Sequence, residues 1–229
     1  MRSGAVKRSR RMLWPHSLPV DLLQKERTGL KTRHYNTGGP GSATILLMTP
    51  ADQPDAPVAS ANRFSSADVV SILRERGWLA AEPSGEQHAW SERAAAMLGG
   101  HAAGRVALAD LLGLVFQYDA NEIISRVESH VVLSRYAARD VVRQVALVLL
   151  EGGPLTSDRF KEIVTALKEG MELRGRELFH PIRLALAGRA GEGELDRVIL
   201  LLDEAAGLSF DVAVKSARER ILEFCSAVD

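Results

Sequence analysis

One cysteine, Cys225, is present in the whole chain. A single thiol excludes an internal disulfide framework and any zinc cluster built on cysteines. Aromatic residues are scarce at 5%. With so many Ala, Leu, Arg and Glu, that scarcity points to helices. No run of 18 apolar residues occurs, so no membrane-spanning helix is expected. The opening MRSGAVKRSRRM lacks the apolar core of a secretory signal, which makes the cytoplasm the expected location. Net charge is also absent, with 29 basic side chains against 29 acidic ones. What remains is 229 residues, 46% apolar and 25% charged, enough for one large domain or two small ones around a real core.

The zero net charge conceals an asymmetry. Residues 1–63 carry ten Lys and Arg against four Asp and Glu, and six of the nine prolines. The remainder carries nineteen basic residues against twenty-five acidic ones, a net of −6. The opening Lys7, Arg8, Arg10 and Arg11 can attract nucleic acid electrostatically. The plainer reading of 1–63 is a basic, Pro- and Gly-containing disordered leader. Met48 offers an alternative start, and SATILLMTP can form one short strand.

From residue 64 the pattern is helical, with expected subdomains at 64–151 and 152–229. Ser65, Ser66 and Asp68 start a helix and Gly77 stops it. Residues 78–90 contain Pro83 and Gly85 and read as a loop, before a short helix at Ser91–Leu98. Leu108, Leu111, Leu112, Val115 and Phe116 recur at i, i+3, i+4, i+7 and i+8. Ile123, Ile124 and Val127 continue in another helix. Val141–Leu150 is nearly all apolar and reads as a buried central helix. Gly152-Gly153-Pro154 breaks the chain, and Thr156-Ser157-Asp158 caps a helix with Phe160, Ile163, Val164 and Leu167 on one stripe, stopped by Gly170. Pro181 suits the first position of a short helix ending at Gly188. Glu194–Ala206 follows, and Ser209 caps a last helix reaching about Cys225. The sum is an all-α protein of eight to ten helices.

No catalytic constellation is visible. The six histidines never take a metal-ligand spacing, so no metal and no cofactor is expected. Cys225 reads as a structural thiol. Gly99-x4-Gly104-Arg105-Val106 grazes the phosphate-loop pattern. It lacks both the phosphate lysine and the magnesium-binding hydroxyl, and reads as a flexible link.

The unusual segment is MELRGRELFHPIRLALAGRAGEGELDRVILLLDEAA, residues 171–206. Arg174, Arg176, Arg183 and Arg189 stand there against one acid, Glu177, between 174 and 189. Planar guanidinium groups suit both phosphates and base edges. An equally weighted reading has Arg183 clamping two helices through Glu177 or Glu194.

Residues 174–189 and the leucine-rich helix after them resemble the C-terminal anticodon-binding domain of bacterial glutamyl-tRNA synthetases. That family carries a phrase of the type KGKxLFxPLRxALTGRxxGPEL. The close likeness covers roughly 155–206, with looser likeness on both sides. The resemblance implies an all-α helical bundle or cage that reads a tRNA anticodon, with tRNA of the glutamate type as partner. It implies RNA contacts at Arg183 of the Pro-x-Arg step, at His180 beside it, and at Glu192, Gly193 and Leu195. The flanking Arg174, Arg176 and Arg189 complete the candidate RNA-binding set. Ala187 replaces the family's threonine, and Glu192-Gly193 replaces its Gly-Pro. The synthetase's nucleotide-binding domain and its two signature motifs do not appear; Val214–Arg218 only faintly echoes one of them.

Three functions follow from that resemblance. The first is a free-standing tRNA-binding module that does not catalyse aminoacylation, alone or with a truncated synthetase. The second is a helical protein-interaction module that has lost RNA contact, favoured by Ala187, Glu192, Gly193 and the acidic total. The third is the non-catalytic subunit of a split glutamyl-tRNA synthetase.

Overall fold

The computed structural model describes residues 63–229. The leader, the alternative start at Met48 and the short strand all lie outside the described residues, apart from Arg63. Ten helices and no strand occur among the described residues, as the all-α reading expects. They are α1 (Ser66–Glu75), α2 (Gly85–Leu98), α3 (Arg105–Phe116), α4 (Ala120–Ser125), α5 (Val127–Leu133), α6 (Ala138–Glu151), α7 (Ser157–Met171), α8 (Arg176–Ala187), α9 (Glu194–Ala206) and α10 (Ala217–Val228).

Local chemistry sets the helix starts. Ser65 with Asp68, Ser84 with Gln87 and Ser216 with Glu219 each form a reciprocal box at the starts of α1, α2 and α10. Each box satisfies two backbone N–H groups that have no partner within the helix. Thr156 caps α7 through the amide of Arg159. Gly188 ends α8 at φ +77, where a Cβ would lie 2.9 Å from the side chain of Ile123. Left-handed backbone and close packing both favour glycine there.

Helices α6, α8 and α10 pack on one another, while α9 lies against α2, α3 and α8. The apolar core runs from Val69 to Phe224 through residues on both sides of Gly152. The few aromatics are concentrated. Trp78 stacks on Phe116 at 4.7 Å, and Trp90 and Phe210 meet Phe116 edge-on at 5.7 and 5.0 Å.

Arg220 is fully buried among helix ends. Its Nη1 donates to the carbonyls of Leu114 at 2.8 Å and Leu186 at 2.9 Å. Nη2 donates to Val115 and Nε to Lys215. One guanidinium thus satisfies the last turns of α3 and α8 and the residue before the α10 cap. The Tyr118 ring lies 4.6 Å from its carbon. Burial lowers its pKa to about 10, which leaves it charged at neutral pH.

Four boundaries and the burial of one helix differ from the expectations. Helix α2 begins at Gly85, because the Ser84–Gln87 box starts it directly after Pro83, and Trp90 is therefore helical and buried. Arg126 is extended and divides α4 from α5, leaving Val127 exposed. Helix α6 buries only one face, with Leu147 about half exposed. Helix α7 passes through Gly170 to Met171 and ends on Glu172 at φ +55. The last helix starts at Ala217 with Ser216 as its cap, since Gln87 and the Ala80 amide hold Ser209 and Asp211 in an irregular segment.

Candidate nucleic-acid interface

Helix α8 carries most of the segment singled out by its arginines. It starts at Arg176, with Gly175 as the preceding residue, so Pro181 lies inside the helix. Leu178 and Phe179 both donate to the Gly175 carbonyl, at 3.2 and 3.0 Å, and begin the helix ahead of the proline. Pro181 leaves the carbonyl of exposed Glu177 without its helical donor. Arg183 consequently sits well inside the helix, not in its first turn.

The Arg183 guanidinium turns inward. Nε and Nη2 grip both carboxylate oxygens of Asp196 in α9 at 2.7 and 2.8 Å, and Nη1 donates to the Gly191 carbonyl at 2.6 Å. Its side chain is 9% exposed and lies over Phe179, 4.9 Å from the ring centre. Two parallel charge-assisted bonds make this the strong form of an ion pair. The clamping partner is Asp196, rather than the Glu177 or Glu194 expected from sequence. What the pair holds is the α8–α9 loop, residues 188–193. Leu195 is fully buried beneath that loop, and a Cβ on Gly191 would meet its side chain at 2.9 Å. Neither Arg183 nor Leu195 offers its side chain to solvent, because packing and pairing consume them.

The other candidates are at the surface or close to it. Arg176 meets Glu192 across 3.5 Å of largely exposed space. A pair so open to water adds little stability and opens readily. Gly193 is exposed as the residue before α9. Arg174 and Arg189 are exposed, and their side chains have no hydrogen bond or ion pair among the described residues. Arg189 lies one helix length, roughly 18 Å, from the Arg176 end. There it borders a pocket of about 550 Å³ lined by Arg76 and Arg126 but also by Asp110, Asp119 and Glu122. Arg126 donates to the Gly188 carbonyl at 3.3 Å and pairs with Glu122. The arginines therefore form two groups, one at each end of α8.

His180 joins the first group to the α5–α6 turn. Its Nδ1 lies 3.1 Å from Nη1 of Arg135. A guanidinium only donates, so Nδ1 accepts and the neutral ring carries its proton on Nε2. Burial, then Arg135, Arg176 and Arg183, hold its pKa below the ordinary 6.5, against the pull of Glu192. The native state thus binds fewer protons here than the unfolded chain. The contribution is present above pH 6.5 and is lost as pH falls through the lowered folded value. Urea unfolding at pH 7.5 and 5.5 should show a loss of stability on acidification, and a smaller loss in His180→Gln. An equal loss in both proteins would contradict this assignment.

Arg135, Arg126 and Arg76 were not among the sequence candidates. They reach the ends of α8 only through tertiary packing, and no local motif announces them. Cys225 is half-buried, and burial and Asp229 push its thiol pKa up. No group of three potential metal ligands occurs among the described residues, and no described helix is long and apolar enough to cross a membrane.

The chain is similar to known proteins over part of its length. A 71-residue stretch is 35% identical to glutamate–tRNA ligase 2 of Syntrophus aciditrophicus (strain SB). That stretch takes in 31% of this chain and 15% of the ligase, so the likeness covers a small part of the longer protein. No solved structure matches. The family model described as the anticodon binding domain matches residues 67–206, from the first turn of α1 to the end of α9. The helical unit around α8 is thus a member of the anticodon-binding domain family, of the kind found at the C-terminus of glutamyl-tRNA synthetases.

Proposed function

We propose that this chain is a tRNA-binding module that grips the anticodon arm, with glutamate tRNA as the preferred partner, and leaves the ligation chemistry to another polypeptide. The observation that carries the reading is the pair of exposed arginine groups that α8 presents at its two ends, within a matched anticodon-binding fold. Arg174 and Arg176, with His180 behind them, form one cationic grip for phosphate. Arg189, whose side chain is unpaired among the described residues, forms the other at the mouth of a pocket where Arg76 and Arg126 face Asp110, Asp119 and Glu122. Glu192 and Gly193 shape the connecting loop, and Arg183 and Leu195 hold that loop from inside. Single-stranded loop bases suit such a surface, because splayed bases meet guanidinium planes and backbone groups.

The test is binding of a panel of tRNAs by the wild type and by Arg174→Gln and Arg189→Gln. Each variant is expected to bind glutamate tRNA several-fold more weakly, with the fold unchanged. A loss confined to glutamate tRNA supports anticodon reading. Equal losses for all tRNAs leave a phosphate grip and reject base readout.

A second reading, a helical protein-interaction module, is favoured by one observation: the Arg183 guanidinium is turned inward onto Asp196. A stable protein partner captured in the absence of RNA supports it. A footprint of the chain over an anticodon arm removes it.

A further inference from the structure

The α5–α6 turn carries the most exposed large apolar side chain described. Tyr136 is 91% exposed, and no hydrogen bond holds its hydroxyl. The turn beneath it is nevertheless well fixed. Ser134 donates to His130 at 2.9 Å, Arg135 to Val132 at 3.2 Å and Ala138 to Arg135 at 3.2 Å. Ala137 adopts φ +60, one of two non-glycine residues with positive φ among those described. Such a conformation carries a cost for a residue with a Cβ and persists only where its surroundings impose it. The ring is thus held out into water by a structured and strained turn.

Its neighbours are basic. Arg135 is anchored on His180 and so places Tyr136 beside the α8 group. Arg139 is exposed and its side chain has no partner among the described residues. Between residues 126 and 143, four arginines stand against Glu128 and Asp140, and Asp140 lies 3.7 Å from Arg143. An exposed aromatic ring flanked by guanidinium groups suits an unstacked base with its phosphates better than it suits an apolar protein face.

We propose that Tyr136 is a stacking platform for one unpaired base of the bound RNA, with Arg135 and Arg139 taking the adjoining phosphates. This rests on the tRNA-binding reading and extends that surface from α8 to the α5–α6 turn. Stacking needs a flat ring and no hydroxyl, so phenylalanine replaces tyrosine and leucine does not.

The test is tRNA affinity at fixed low salt for the full chain and for Tyr136→Phe, Tyr136→Leu and Tyr136→Ala. Photocrosslinked peptides of the wild type are mapped alongside. Tyr136→Ala is expected to bind roughly 5- to 150-fold more weakly, the range found for removing one base–aromatic stack. Tyr136→Phe keeps wild-type affinity, and a crosslink falls on residue 136. Thermal unfolding of all variants stays unchanged, because the side chain supports no packing. Wild-type binding with no loss in Tyr136→Ala overturns the platform and leaves the tRNA reading standing. No tRNA retained by the wild type removes both. Loss of a protein partner in Tyr136→Ala, with RNA affinity intact, assigns the ring to a protein contact and also overturns the platform.

Discussion

Arg220→Met is expected to lower the unfolding free energy by about 4 kcal/mol, because several buried carbonyls lose their donor together. The carbonyls of Leu114, Val115, Leu186 and Lys215 all point at this one guanidinium. They come from the ends of α3 and α8 and the segment before α10, where no intrahelical donor exists. Methionine fills much of the volume and donates nothing. Arg220→Lys should recover only part of the loss, since an ammonium lacks the planar fork that spans acceptors on separate elements. A domain of this size has a stability of about 5–15 kcal/mol, so the methionine variant sits near the edge of folding. Urea unfolding at pH 7 reads the effect as a lower midpoint with an unchanged slope. A loss below about 1 kcal/mol would show that water replaces the guanidinium at these helix ends.

Breaking the Arg183–Asp196 pair is the second large effect. Arg183→Ala and Asp196→Ala should each cost about 3 kcal/mol, because each leaves a poorly solvated charge without its partner. The double variant should lose clearly less than the two single losses added together. The consequence for RNA separates two roles for Arg183. If its guanidinium meets bases directly, Asp196→Ala frees it, removes a negative charge and strengthens tRNA binding. The inward geometry predicts the opposite. Both single variants loosen residues 188–193 and weaken tRNA binding alike, although one removes a positive and the other a negative charge. Stronger binding by Asp196→Ala, in a protein that remains folded, would return Arg183 to direct contact.

The fold was largely legible, since the apolar stripes of α3, α7 and α9 and the caps at Ser65 and Thr156 are local signals. Helix starts failed where two local signals compete. Pro181 looks like a first helical residue, yet Leu178 fills the core ahead of it and draws the start back to Arg176. Ser209 resembles a cap, but Gln87 from α2 captures its carbonyl at 2.8 Å. The arginine-rich segment was visible as composition. Its division into inward and outward groups was not, because Asp196 is thirteen residues from Arg183 and becomes its partner only when α8 packs on α9. Arg220 gave no warning at all. In sequence it is one arginine of an amphipathic helix, and its burial depends on the end of α8 and on that of α3, 106 residues away at Leu114.

The central claim is that outward guanidinium groups at the two ends of α8 hold an RNA polyanion. Binding of an isolated anticodon stem-loop, measured across a series of salt concentrations, tests it most directly. With about three phosphates neutralised on a single-stranded loop, log K should fall with log salt at a slope near −2. Combining Arg174→Gln with Arg189→Gln should make that slope shallower by about 1.4, or 0.7 for each contact removed. A wild-type slope near zero, or the same slope in the wild type and the double variant, would contradict the claim.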